Sequence, residues 1–113
     1  MKDGFVKVAA VTPKIRVADT IYNKEKIMEK IEEAERQRAV VVVFPELCIT
    51  GYSCGDLFFQ DTLLEEAKQA LIQIAEGTAG KNMLVFVGLP IAYRGGLYNV
   101  AAVVCRGTVC GLV

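Results

Sequence analysis

Apolar and polar positions change their period several times along the chain, and each change predicts an element. Phe5–Val11 is short, apolar at most positions, and stops before Thr12-Pro13, where a residue without an amide hydrogen suits the end of a strand. From Asp19, an acceptable N-cap, to Arg38 the chain turns charged, with Ile27, Ile31 and Ala34 on one stripe at i, i+4, i+7. That spacing predicts an amphipathic helix with a solvated charged face, supported by Glu32 and Arg36 four residues apart. Ala39–Phe44 then runs as unbroken apolar, largely β-branched sequence, the pattern of a central parallel strand buried on both faces.

A loop rich in Gly, Ser and Cys leads to Thr62–Glu65, which reads as a capping box. Leu64, Ala67, Leu71 and Ile74 carry the stripe of a second helix, and Gly77 can end it. Met83–Leu89 predicts a third strand closed by Pro90, while Gly95-Gly96 and Arg106-Gly107 read as tight turns joining Ile91–Tyr93, Leu97–Cys105 and Thr108–Val113. The order β-α-β-α-β followed by β-hairpins predicts an α/β fold with a mixed sheet, and no linker or repeat divides residues 1–113. Val109–Val113 stays strand-like to the last residue, which predicts a C-terminus truncated within an element, although 113 residues would suffice for a domain.

Composition narrows the function. Thirteen Lys+Arg balance thirteen Asp+Glu, so no excess positive charge is present for binding nucleic acid by counterion release. A mean hydropathy of +0.37 with 53% hydrophobic residues predicts a packed core, not disorder. The apolar stretch Ala39–Phe44 is far short of the roughly 20 residues a membrane helix needs. The first residues also lack the apolar segment of a signal peptide, so a cytoplasmic location is expected. In such a compartment Cys48, Cys54, Cys105 and Cys110 should be free, buried and inert thiols. Their C-x5-C and C-x4-C spacings, in a chain with no His, do not read as a metal site. Lys81, ahead of a strand, reads as a solvated loop charge.

The candidate for chemistry is Glu46. It follows the buried run as Val43-Phe44-Pro45-Glu46-Leu47, at the C-terminal edge of a parallel strand, where open α/β sheets bind ligands. A carboxylate shielded there would have its pKa raised and suit general acid–base work near neutral pH. By position alone, a glutamate that simply marks the strand's exit into solvent is the commoner case, since most glutamates at strand ends are solvated. The following Cys48–Asp56 stretch combines a glycine turn, an aromatic with a polar tip and small residues, a composition that can form a pocket wall.

Phe44-Pro45-Glu46-Leu47-Cys48-Ile49-Thr50-Gly51-Tyr52 resembles the FPE-x3-TGY segment that supplies the catalytic glutamate in the carbon-nitrogen hydrolase (nitrilase) superfamily. The opening strand, the Asn-containing helix segment Ile21-Tyr22-Asn23-Lys24 and Val87-Gly88-Leu89-Pro90 extend the resemblance over essentially the whole chain. Within the superfamily, Val17-Ala18-Asp19-Thr20, the GYS-x2-DLF string from Gly51 to Phe58 and Gly96-Leu97-Tyr98-Asn99 look like the N-terminal part of the glutaminase domains of glutamine-dependent NAD synthetases.

The resemblance implies a four-layer α-β-β-α sandwich, incomplete here, and a Glu-Lys-Cys triad that hydrolyses the side-chain amide of glutamine. Glu46 would be the base and Tyr52 a substrate-binding residue, while the triad's Lys and Cys would lie beyond residue 113. Cys48 falls at a variable position of the motif, not at the nucleophile's place. The 113 residues alone are accordingly expected to lack glutaminase activity. The resemblance further implies no cofactor for this domain, ATP and magnesium for a separate synthetase domain as partner, and a homo-oligomer. Asp56–Phe59, with two adjacent phenylalanines just before a helix, reads as core or subunit contact and not as catalytic. Two other readings remain open at this point: a free-standing amidase or N-carbamoyl hydrolase of the same superfamily, and a small non-catalytic α/β interaction module.

Overall fold

A computed structural model of the chain describes residues 6–51 and 61–113. In chain order the elements are β1 (Val8–Ala10), α1 (Thr20–Arg36), β2 (Val41–Val43), α2 (Asp61–Gly77), β3 (Leu84–Tyr93), β4 (Gly96–Cys105) and β5 (Thr108–Leu112). They form one five-stranded sheet in sequential order, with β1, β2 and β3 parallel and β4 and β5 antiparallel. The predicted α/β class and mixed sheet are those observed.

Local chemistry explains most element ends. The Asp19 side chain accepts from the Tyr22 amide at 3.0 Å, satisfying one of the free N–H groups at the start of α1. The Ile27, Ile31 and Ala34 stripe is buried as its spacing requires. α2 begins at Asp61, one residue before the predicted capping threonine, so Thr62 lies inside the helix. Glu65 there meets Gln69 and Lys68 instead of closing a capping box. Both hairpins turn on an Arg-Gly pair with positive φ at both positions, Arg94-Gly95 and Arg106-Gly107, the backbone that twisted two-residue hairpins need. The first turn thus falls one residue earlier than Gly95-Gly96.

Pro90 does not close a strand: β3 continues through it to Tyr93, paired with Asn99 of β4. β2 pairs with β3 only as far as Phe86, so among the described residues the other edge of β3 at Pro90 faces no strand, and its missing N–H removes no ladder bond there.

Ala9, Val42, Val85 and Val104 lie in register across four strands and share one face with Val87, Leu89 and Ala102. Both helices cover that face, through Ile27, Ile31, Leu71 and Ile74 among others, in one continuous core. The opposite face carries Val8, Val43 and Leu84, which are 59%, 41% and 41% exposed. β2 is therefore buried on one face only, contrary to the reading of its unbroken apolar run. The described residues form two layers of the expected four-layer sandwich.

Three further expectations change. Glu32 does not pair with Arg36: with Glu35 it receives Lys81, at 2.8 and 3.8 Å. The Lys81 side chain is only 12% exposed, because the loop after α2 folds it back onto α1. Cys105 and Cys110 are joined as a disulfide across the β4–β5 hairpin, with Cα atoms 6.5 Å apart, instead of remaining free thiols. The Arg106-Gly107 turn folds the chain back between them, which brings the two side chains within bonding reach.

Candidate functional site

The site is built on the turn that follows β2. The Phe44 amide still donates to the Phe86 carbonyl, after which Pro45 releases the chain from the sheet. Leu47 adopts positive φ (51°), and the Thr50 and Gly51 amides both donate to its carbonyl at 3.2 and 2.6 Å. An unbranched β-carbon tolerates that conformation at some cost, and the bonds that close the turn over-determine it. The turn crosses β3 at Gly88, where an added β-carbon would come within 2.9 Å of the Glu46 carbonyl carbon. Only glycine admits so close an approach.

Asn23 anchors the turn from the helix side. Fully buried, it donates through Nδ2 to the carbonyls of Arg16 and Ile49, both at 2.8 Å, and accepts from the Arg16 amide at 2.7 Å. One side chain thus ties α1, the segment before it and the turn after β2 together. The Ala18 amide adds a bond to the Thr50 carbonyl.

Glu46 emerges from this frame onto a cavity of about 300 Å³, lined by Val43, Phe44, Phe86, Asn99, Ala101 and Val113 among others. It is exposed, not shielded. The expectation of a carboxylate sequestered from water is corrected: the cavity lies on the sheet face that neither helix covers. The other half of the expectation holds, since the carboxylate borders a cavity at the C-terminal edge of a parallel strand. Its Oε2 accepts from Asn99 Nδ2 at 3.4 Å. Asn99 stands in the sequence within Gly96-Leu97-Tyr98-Asn99, yet 53 residues separate it from Glu46, and only the β3–β4 register brings the two together.

Cys48, two residues on, enters the core instead. It is 1% exposed, and its sulfur meets the amide and carbonyl of Gly88 at 3.4 and 3.8 Å. Burial pushes its thiol up to about 11, only partly offset by the backbone hydrogen bonds. A group held as the neutral thiol and facing the helices is a poor nucleophile, as the sequence reading of Cys48 expects. Tyr52, Cys54 and Asp56–Phe59 lie outside the described residues. Among the described residues no three His, Cys, Asp or Glu side chains gather as metal ligands, and no helix is long and apolar enough to cross a membrane.

The sequence profile of carbon-nitrogen hydrolases matches residues 7–109. The chain belongs to the carbon-nitrogen hydrolase family. It is 36% identical over 110 residues to a glutamine-dependent NAD(+) synthetase of Mycobacterium bovis, covering 97% of this chain and 16% of that protein. With the enzyme of the same name from Aquifex aeolicus it shares 41% identity over 96 residues, 85% of this chain and 17% of that one. The crystal structure of a glutamine-dependent NAD(+) synthetase from Cytophaga hutchinsonii superposes with a TM-score of 0.89 at 33% identity, over 95% of this chain and 18% of that one. An amidase from Nesterenkonia sp. shares the fold, with a TM-score of 0.77 at 19% identity over 99% of this chain and 43% of its own. The chain thus spans about a sixth of the length of the synthetases it matches.

Proposed function

We propose that this chain is the base-bearing portion of a glutaminase domain, in an enzyme that hydrolyses glutamine to supply ammonia for making NAD from deamido-NAD. The observation that carries this reading is the position of Glu46: on a rigid turn at the end of β2, pinned against Gly88, with its carboxylate on a cavity wall. Identity of 33–41% to glutamine-dependent NAD synthetases supports glutamine over other amides, because the likeness to the amidase reaches only 20% and speaks for fold alone.

An amide carbonyl is a poor electrophile, so the reaction is divided in two. Glu46 accepts the proton of a cysteine thiol, the sulfur adds to the side-chain amide carbon of glutamine, and a lysine ammonium meets the developing oxyanion. The C–N bond breaks as Glu46 returns the proton to nitrogen, releasing ammonia and leaving a γ-glutamyl thioester. Glu46 then takes a proton from water, whose oxygen adds to the thioester carbon, and hands that proton to the departing sulfur, which frees glutamate and restores both the thiol and the carboxylate. The lysine and cysteine belong to sequence beyond residue 113, Tyr52 contributes to substrate binding, and the domain needs no cofactor of its own. ATP and magnesium serve a separate synthetase domain that receives the ammonia. The enzyme is cytoplasmic and homo-oligomeric.

Glutamate release by the full-length enzyme carrying this chain tests the reading. Glu46→Gln, which keeps shape and removes the base, is expected to lower turnover by about 10²–10⁴-fold. Retention of full activity would overturn it, as would turnover by the 113-residue chain that disappears when Cys48 or Cys54 is replaced.

A further inference from the structure

The turn after β2 fixes the backbone of Glu46 but leaves its side chain free about three torsions, in an open cavity. A general base works only when its oxygen is held within reach of the proton it takes. Something must therefore orient the carboxylate itself. Glu46 and Asn99 carry the polar side chains among the cavity's lining residues, and the other named side chains are apolar. Asn99 sits in the long β3–β4 ladder opposite Pro90, on a stiff strand and not on a loop. Its partner, when ionised, can only accept hydrogen bonds, so the amide nitrogen is the end of Asn99 that faces it.

We propose that Asn99 is a positioning residue for Glu46. Its Nδ2–H engages Oε2, which leaves Oε1, without a partner among the described residues, as the oxygen that takes and returns the proton. This inference rests on the assignment of Glu46 as the base. A separation of 3.4 Å is long for a bond to a carboxylate and fits a site that tightens when substrate fills it. Glu46 is the one titratable side chain among the described residues that line the cavity, so a second charge placed at 99 would act on it directly.

The test is a double-mutant cycle in the full-length enzyme, with kcat and KM for glutamine measured separately. Asn99→Ala is expected to lower kcat by about tenfold to a hundredfold, the penalty of a base displaced by about an ångström, with KM within about threefold of the parent. In a Glu46→Gln background the same substitution should cost nothing further, because the group it positions is already gone. Asn99→Asp, nearly isosteric, should move the acid limb of the kcat/KM profile to higher pH by placing like charges side by side. A merely structural role would leave that limb in place and keep its penalty in both backgrounds. Loss of kcat in Asn99→Ala that persists in Glu46→Gln, or a rise in KM alone, overturns the proposal. Full activity in Glu46→Gln itself overturns the prior assignment of the base instead.

Discussion

Gly88 lies so close beneath the Leu47 amide nitrogen that no β-carbon fits between them. The contact lets the turn cross β3, and the Ile49 amide donates to the Gly88 carbonyl at 3.2 Å on the same crossing. Gly88→Ala must lift the turn or bend the strand, and both are tightly packed. We expect a loss of about 1–3 kcal/mol in stability, the usual cost of overpacking, together with reduced glutamine turnover because Glu46 moves with the turn. Denaturant titration and glutamate release check the two halves; an unchanged midpoint would show that the crossing is more yielding than its geometry implies.

Asn23 is expected to be as sensitive, for the opposite reason. Asn23→Ala removes a buried side chain that serves the Arg16 amide and the carbonyls of Arg16 and Ile49, and each group left buried without a partner costs about 1–3 kcal/mol. Asn23→Asp keeps the acceptor but loses both donor bonds and sets a carboxylate against two carbonyl oxygens, so it should be no milder. If Asn23→Asp melts with the parent, the amide is not what ties the turn to α1.

These two residues show what the sequence makes legible. Gly88 and Asn23 both stand in the strings that mark the family, but their work is tertiary: one accommodates the backbone of Glu46 and Leu47, the other ties Ile49 to Arg16. The helices were readable because Ile27, Ile31 and Ala34 face a core and the residues between them face water. β2 misleads because an apolar run reports what each residue prefers, not whether an element lies over both faces. Glu46 could be found because it directly follows that run. Asn99 could not be given a role, since its relation to Glu46 exists only through strand register. Lys81 likewise looks solvated until α1 is set beside it.

High pH should weaken the fold through two groups. Burial raises the Cys48 thiol from 9.0 to about 11, so the folded chain binds that proton more tightly than the unfolded chain does. The associated stability is complete below pH 9 and is lost as pH rises toward 11. Lys81 acts in the same sense: its hydrogen bond to Glu32, helped by attraction to Glu32 and Glu35 against the cost of burial, holds the ammonium above its ordinary 10.5. Its contribution is full below 10.5 and fades as the lysine deprotonates. The stability advantage of the parent over Cys48→Ala should therefore shrink between pH 9 and 11, and that over Lys81→Met, of about 1 kcal/mol or less for partners this exposed, only above 10.5. Unfolding curves at stepped pH read both; an advantage over Cys48→Ala that is flat to pH 11 would mean the thiol ionises with equal ease in the two states.

β5 reaches the cavity wall through a bulge. Val104 pairs with Val109 but Val103 pairs with Gly111, so Cys110 is the extra residue of a bulge in β5. Because side chains alternate along a strand, that one residue decides which face everything after it occupies. With the bulge, Val113 stands opposite Ala101, exchanging bonds of 3.0 and 2.9 Å, and lines the cavity that Glu46 borders. Without it, Val113 would pair with Val100 and turn toward the helix side. The Cys105–Cys110 bond ties the bulged residue to the neighbouring strand and so holds this register. Reduction, or Cys105→Ser with Cys110→Ser, should cost up to about 2 kcal/mol from the short loop it closes. It should also speed hydrogen exchange at the Ala101 and Val113 amides more than at Val85 in the centre of the sheet. Exchange that accelerates equally at all three sites, or not at all, would show that the ladder keeps the bulge in place without the sulfur link.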